Sequence, residues 1–399
     1  MRAYSESSEE ALRARDLLKD WAGEGFITQE QYQRMEQETV CDLRCTNIFL
    51  RLVLFLFTLI IVGAAVALFV RQSSMQTTGI LLLVFAVCSY AGAEAAVSQF
   101  RFYRYGIEEA LAVCSVAFLC AGMRFAFFEG RVYSPAPHAM RCLVPAAGAI
   151  ASLWIWRRFG LAYAFLAAMI FVVFLPGYGT SSQSARHLVI EAFYVAGLVA
   201  VAARRSRYRF TYLNNEYSIA EALLWLGIYL AINLQLSSVD LLGQWLERGP
   251  QSPSEFSRPF YWITWVLTWC LPPAVLARGV LKKDRFVIAV GAVTAVLTFV
   301  TNKPYLGWPR HTWDPMLLGA LLIGVALFIR RWLAKGPGGI RHGFTARRLS
   351  GKDKTWLSAG ATAIGLATPN AMAPSPQGGS SDVHFGGGDS GGAGASSDF

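Results

Sequence analysis

The sequence predicts an all-α, polytopic integral membrane protein: a helical bundle of about 10 transmembrane helices with both termini on the cytoplasmic side and a possible internal repeat of 4+4 helices in parallel. Three observations carry this. Hydrophobic residues make up 54% of the chain and charged residues only 16%, whereas a soluble domain holds about 25% charged residues. The apolar residues gather in long runs, and a bilayer core needs roughly 20 apolar residues as a helix. The basic residues gather in alternate turns between those runs, the bias that orients membrane helices.

Residues 1–46 are polar and precede the first run. Ser7-x-x-Glu10 reads as a capping box opening a helix through about Trp21, with Ala11, Ala14, Leu18 and Trp21 on one face. Gly23 and Gly25 break it, and Thr28-x-x-Gln31 reads as a second capping box. The stretch therefore predicts a cytoplasmic helical hairpin lying on the membrane surface. Within it, Trp21, Gly25, Ile27, Thr28, Glu30 and Gln31 spell W-x-x-x-G-x-I-[ST]-x-E-Q. This hairpin resembles the opening of a bacterial multi-pass membrane protein family of unknown function, in which it precedes a helical array. The resemblance covers about a tenth of the chain and implies architecture, with no activity attached.

The transmembrane domain, 47–334, holds apolar segments at 47–70, 77–99, 105–128, 138–156, 159–176, 187–203, 217–238, 259–281, 285–302 and 314–334. The first begins too late for a cleaved signal peptide and is expected to stay in the mature protein. With the N-terminus inside, cytoplasmic turns hold twelve basic residues, among them Arg101, Arg104, Arg158, Arg205, Arg209, Arg278, Lys282 and Lys283, against eight in the longer outer turns. Both ends are thus expected in the cytoplasm, in a bacterial inner membrane. Leu271-Pro272-Pro273 is expected to kink or break the eighth segment, whose Trp262, Trp265 and Trp269 share a face. Residues 335–399 form a tail without apolar period, Gly/Ser-rich from Gln377, a composition that stays flexible.

No phosphate-binding Gly loop, His-Glu-x-x-His or Gly-x-Ser-x-Gly motif is present, the five His residues are scattered, and Cys41 and Cys45 have no second ligand pair nearby. The sequence points to no catalytic group, cofactor or metal, and the +10 charge reads as inside bias and not as a nucleic-acid surface. The informative residues are acids in apolar helices, because an ionisable group in lipid costs at least ~2.5–3.5 kcal/mol and faces a bundle interior or cavity. Glu94, Glu109 and Glu221 all fall toward the cytoplasmic ends of their segments. Two readings are open. Each acid near a helix N-terminus is stabilised by the macrodipole and pairs with Arg101 or Arg209, or the three gather in one cytoplasm-facing polar site. At the outer side, Arg124 either snorkels or pairs across helices with Glu191 or Asp240.

Phe100-Arg101-Phe102 recurs at Tyr208-Arg209-Phe210, an offset of 108, and Tyr105–Leu111 recurs at Tyr217–Leu223, an offset of 112. Four segments separate the copies, so a duplication would be parallel and would make Glu109 and Glu221 equivalent. Two function classes follow. One is a non-enzymatic membrane scaffold or regulatory subunit that holds a cytoplasmic protein through residues 1–46 or the tail. The other is a transporter or channel-like protein for a small solute or ion with the acidic site as its cytoplasmic mouth.

Overall fold

A helix sits on each of the ten apolar stretches, preceded by a helical hairpin. The structure is a computed structural model and describes residues 2–23, 25–39, 42–71, 73–128, 142–176, 182–208, 214–236, 256–308, 311, 313–336, 340–341 and 344–345. The chain divides into two units, Met1–Ala346 and Arg347–Phe399, and every described residue lies in the first. The Gly/Ser-rich part of the tail, Asp240, Arg209 and Cys41 lie outside the described residues.

The hairpin is α1 (Glu6–Gly23) and α2 (Gln29–Glu38). Ser5, not Ser7, opens α1: its Oγ accepts the Ser8 N–H at 3.3 Å. Thr28 caps α2 through the full predicted box, its hydroxyl accepting the Gln31 N–H while the Gln31 side chain accepts the Thr28 N–H. The buried residues of α1 are Glu9 and Leu18. Trp21, expected on the same inward face, is 46% exposed.

The bundle is α3 (Ile48–Val70), α4 (Met75–Ser98), α5 (Ile107–Phe128), α6 (Leu143–Phe159), α7 (Ala162–Phe174), α8 (Gln183–Arg207), α9 (Asn214–Ile232), α10 (Arg258–Lys282), α11 (Arg285–Tyr305) and α12 (Asp314–Ala334). Seven of these are long and apolar enough to cross a membrane: α3, α4, α5, α8, α10, α11 and α12. α6 and α7, with 17 and 13 residues, fall short of the roughly 20 a bilayer core requires. α8 is longer than its apolar run because Gln183–Arg186 and Arg204–Arg207 continue the helix with polar residues. Past α12, Ile340–Arg341 and Phe344–Thr345 pair as a small antiparallel ladder, β1 and β2.

The bundle's surface is apolar, unlike that of a water-soluble bundle. α3 presents Ile48, Leu52, Phe57 and Ile60 outward, each more than half exposed, as lipid-facing residues do. Small residues let helices approach, because lipid supplies no hydrophobic drive between them. A Cβ on Gly79 of α4 would lie 2.2 Å from the Ala126 backbone nitrogen of α5, and one on Gly122 would lie 2.9 Å from Leu83. The main helix pairs are α3–α4, α3–α5, α4–α5, α5–α6 and α6–α7, then α7–α8, α7–α9, α8–α9, α9–α10, α9–α11 and α10–α11. One apolar core joins α7, α8 and α9 around Met169, Tyr194 and Leu224. A second joins Tyr4 and Tyr103 to α4, α5, α6 and α7. α12 has no buried residue.

The Pro272-Pro273 pair does not interrupt α10, which runs helically from Arg258 to Lys282. Pro272 lacks the N–H that would reach the Thr268 carbonyl. That carbonyl instead lies 3.2 Å from the Thr298 hydroxyl of α11, which shares its one proton between it and the Thr294 carbonyl of its own helix at 2.9 Å. A neighbouring helix satisfies the orphaned group, as lipid cannot.

Candidate functional site

Most of the bundle's ion pairs gather at the end where the hairpin docks. There the chain enters through Arg2, Ala3 and Tyr4. The Ala3 N–H donates to the Arg158 carbonyl at 2.9 Å and Arg158 Nη1 donates to the Arg2 carbonyl at 3.0 Å. Arg2 bridges Glu9 of α1 and Glu216 of α9. Gly160, left-handed at φ +70 where α6 ends, leaves the space for this: a Cβ there would lie 2.3 Å from the Arg2 guanidinium.

Three sets of ion pairs surround this anchor, and each holds one of the acids that the sequence singles out. Glu94 of α4 takes Arg158 of α6 in a two-pronged contact, Nε at 2.6 Å and Nη2 at 2.9 Å. The Tyr90 hydroxyl donates to Glu94 at 2.8 Å and itself accepts the Trp154 indole N–H at 2.9 Å. Glu109 of α5 takes Arg51 of α3, with Nε at 2.9 Å from Oε2 and a terminal nitrogen on Oε1. Gly106, at φ +105, permits the approach, since a Cβ on it would come within 2.3 Å of the Arg51 carbonyl. Beside it, Glu108 is 1% exposed and accepts the Tyr105 N–H at 2.6 Å.

Glu221 of α9 is fully buried and sits at the centre of the largest set. Arg205 of α8 reaches it at 2.7 Å, Arg278 of α10 at 2.7 Å and Lys282 at 3.4 Å. Arg205 also pairs with Asp284 at 2.5 Å. Asp284 accepts the Ser218 hydroxyl at 2.6 Å and caps α11 by accepting the Phe286 N–H at 3.0 Å. Burial alone raises the Asp284 carboxyl pKa, but the Ser218 hydrogen bond and the Arg205 charge outweigh it and leave the group below its ordinary value.

Each of the three acids therefore has its own arginine from another helix. Arg101, one of the two expected partners, is engaged elsewhere, and Arg209, the other, lies outside the described residues. Glu109 pairs with Arg51, while Arg101 pairs with Asp42. Glu221 pairs with Arg205, Arg278 and Lys282. Arg124 is exposed on α5, Glu191 is half-buried on α8, and no ion pair joins them among the described residues. Arg51 and Arg158 sit inside or at the end of apolar runs, where sequence alone marks them only as flanking charges.

A second polar feature escaped sequence reading. Thr294, Thr298, Thr301 and Tyr305 recur every three or four residues on the buried face of α11, and Thr264 and Thr268 line the buried face of α10. They meet Tyr229 and Asn233 at the end of α9. The Tyr229 hydroxyl lies 2.9 Å from Thr298 Oγ1, and Asn233 Nδ2 donates to Tyr229 and to Thr301, both at 3.0 Å. The Tyr305 hydroxyl accepts the Leu234 N–H at 2.6 Å just where α9 stops. Trp265 and Trp269 each donate an indole N–H to Asn302 Oδ1 at 3.2 Å, which assigns that aromatic face to helix packing. The signal was the threonine spacing, visible in the sequence but not distinguishable there from ordinary apolar filling.

Among the described residues no three His, Cys, Asp or Glu side chains group closely enough to hold a metal ion. Seven spanning-length helices, lipid-facing apolar surfaces and polar groups turned inward define a polytopic helical membrane protein. No protein-family model matches the chain, nor does any curated protein or solved structure.

Proposed function

We propose that the chain is a non-enzymatic membrane scaffold or regulatory subunit, with both termini in the cytoplasm, that holds a protein partner through its N-terminal hairpin. The observation that carries this reading is the pairing of Glu94, Glu109 and Glu221 with guanidinium groups from other helices. Carboxylates so engaged lock helices together, and the same pairing weighs against a cytoplasm-facing acidic path for a solute or ion. The hairpin supplies the docking surface. Its inward side is tied to the bundle through Arg2, Tyr4 and Leu12, while Leu17, Trp21, Phe26 and Met35 are 40–73% exposed outside the apolar segments. Its fit to the W-x-x-x-G-x-I-[ST]-x-E-Q pattern supports kinship with the uncharacterised family it resembles.

The helix pairings support a parallel 4+4 duplication. Contacts among α3 to α7 have counterparts four helices later: α3–α5 and α7–α9, α4–α5 and α8–α9, α5–α6 and α9–α10, α6–α7 and α10–α11. The test of the scaffold reading is affinity purification from native membranes. Trp21→Ala with Phe26→Ser removes the exposed apolar groups without touching the Arg2–Glu9 anchor. A co-purifying protein present with the wild type is expected to be lost with the pair variant; an identical set of partners would refute the docking role.

A further inference from the structure

We propose that the turn between α10 and α11 binds the headgroup phosphate of an anionic phospholipid through Arg278, Lys282 and Lys283. Lys283 is the first indication. α10 ends in a Schellman arrangement, with the Asp284 N–H on the Gly279 carbonyl at 2.9 Å and the Lys283 N–H on the Val280 carbonyl at 3.2 Å. The position Lys283 occupies in that motif is left-handed, at φ 53, where glycine is the usual residue. A side chain there is strained against its own backbone. The described non-glycine residues with positive φ are Arg101, Arg104 and Lys283. All are cations, and all lie in short turns at the hairpin end. Backbone strain retained at a cation points to a use for the charge.

The charge balance says what that use is. Glu221 and Asp284 supply two carboxylates to Arg205, Arg278 and Lys282, and Lys283 adds a fourth cation, so the turn keeps a positive excess. The buried acids also orient the donors. Glu221 holds Arg278 through Nε, and the guanidinium lies 5.9 Å from the Trp225 ring centroid on a side chain that stays 33% exposed. Lys282 is held more loosely, at 3.4 Å, and is 39% exposed. An arginine fork and neighbouring ammonium groups fit phosphate oxygens. Leu281, between them, is 83% exposed, so the site borders the lipid-facing surface. A basic turn beside lipid-facing residues meets a lipid headgroup before it meets any soluble anion.

The purified full-length protein, in detergent micelles, tests this through its thermal midpoint with added phosphatidylglycerol, phosphatidylcholine or sodium phosphate. Phosphatidylglycerol alone is expected to raise the midpoint. Lys283→Gly is expected to raise the lipid-free midpoint, by releasing the left-handed strain, while weakening phosphatidylglycerol binding about fivefold. Lys282→Gln is expected to weaken it similarly, and Arg330→Gln, at the end of α12, to leave it unchanged. The proposal fails if phosphatidylcholine stabilises equally, if sodium phosphate reproduces the shift, or if the Lys282→Gln, Lys283→Gly double variant binds as the wild type does. A lower lipid-free midpoint for Lys283→Gly would overturn the strain argument.

Discussion

Glu221 and Glu94 are both acids bonded to arginine, yet their surroundings separate them. Glu221 is fully buried and contacts three cations, whereas Glu94 and Arg158 are each about one quarter exposed. Removing one partner of a buried set strands uncompensated charge, at about 3–5 kcal/mol. A pair open to water is worth about 1 kcal/mol or less. Glu221→Gln is therefore expected to lower the thermal midpoint of the purified protein far more than Glu94→Gln, and equal losses would show that Glu221 is not the hub of its network. At this scale the sequence identified the acids but not their partners. An acid in an apolar helix is visible because lipid makes it costly. The arginine that answers it comes from a helix far along the chain: Arg51 lies 58 positions from Glu109, and Arg158 lies 64 from Glu94. Nothing local records that proximity.

Helices were the most legible elements, because length and hydropathy follow from the thickness of the bilayer. Their ends were less so. α8 continues through polar residues at both ends, and α9 stops at Ile232 because the Tyr305 hydroxyl takes the Leu234 N–H and Asn233 turns into the threonine seam. The Pro-Pro pair in α10 illustrates the same limit. Proline announces a missing hydrogen bond, but whether the helix breaks depends on what a neighbour offers. Here the Thr298 hydroxyl, besides bonding the Thr294 carbonyl of its own helix, reaches the Thr268 carbonyl and meets Tyr229. Thr298→Val keeps the shape and deletes those contacts. It is expected to cost about 1–2 kcal/mol, near the upper range for hydrogen bonds between membrane helices. Thr58→Val is the control: among the described residues that hydroxyl bonds only the Leu54 carbonyl of its own helix, at 2.7 Å, so its loss is expected to be nearly silent. Equal thermal midpoints for the two variants would show that α10 satisfies its proline site without α11.

For the whole molecule, the distribution of charge and the anchoring of the hairpin bear on one question, which side each end faces. Most of the ion pairs collect at one end of the bundle, where Arg2, Arg51, Arg158, Arg205 and Arg278 meet the acids. The opposite end carries Trp308 and Trp313, 62% and 52% exposed, and the Lys303–Asp314 pair. Aromatic residues suit either interface, but an excess of arginine and lysine in short turns marks the cytoplasmic side. The hairpin docks at the basic end through Arg2, and α12 starts beside Lys303 at the opposite end. This can be settled by labelling. In a background without the seven native cysteines, Lys19→Cys and Trp308→Cys each place one thiol on an exposed residue at opposite ends. A membrane-impermeant maleimide added to intact cells is expected to label the Trp308→Cys protein and to spare the Lys19→Cys protein until the cells are permeabilised. The reverse pattern would invert the orientation, turn the hairpin outward, and remove the basis for a cytoplasmic partner.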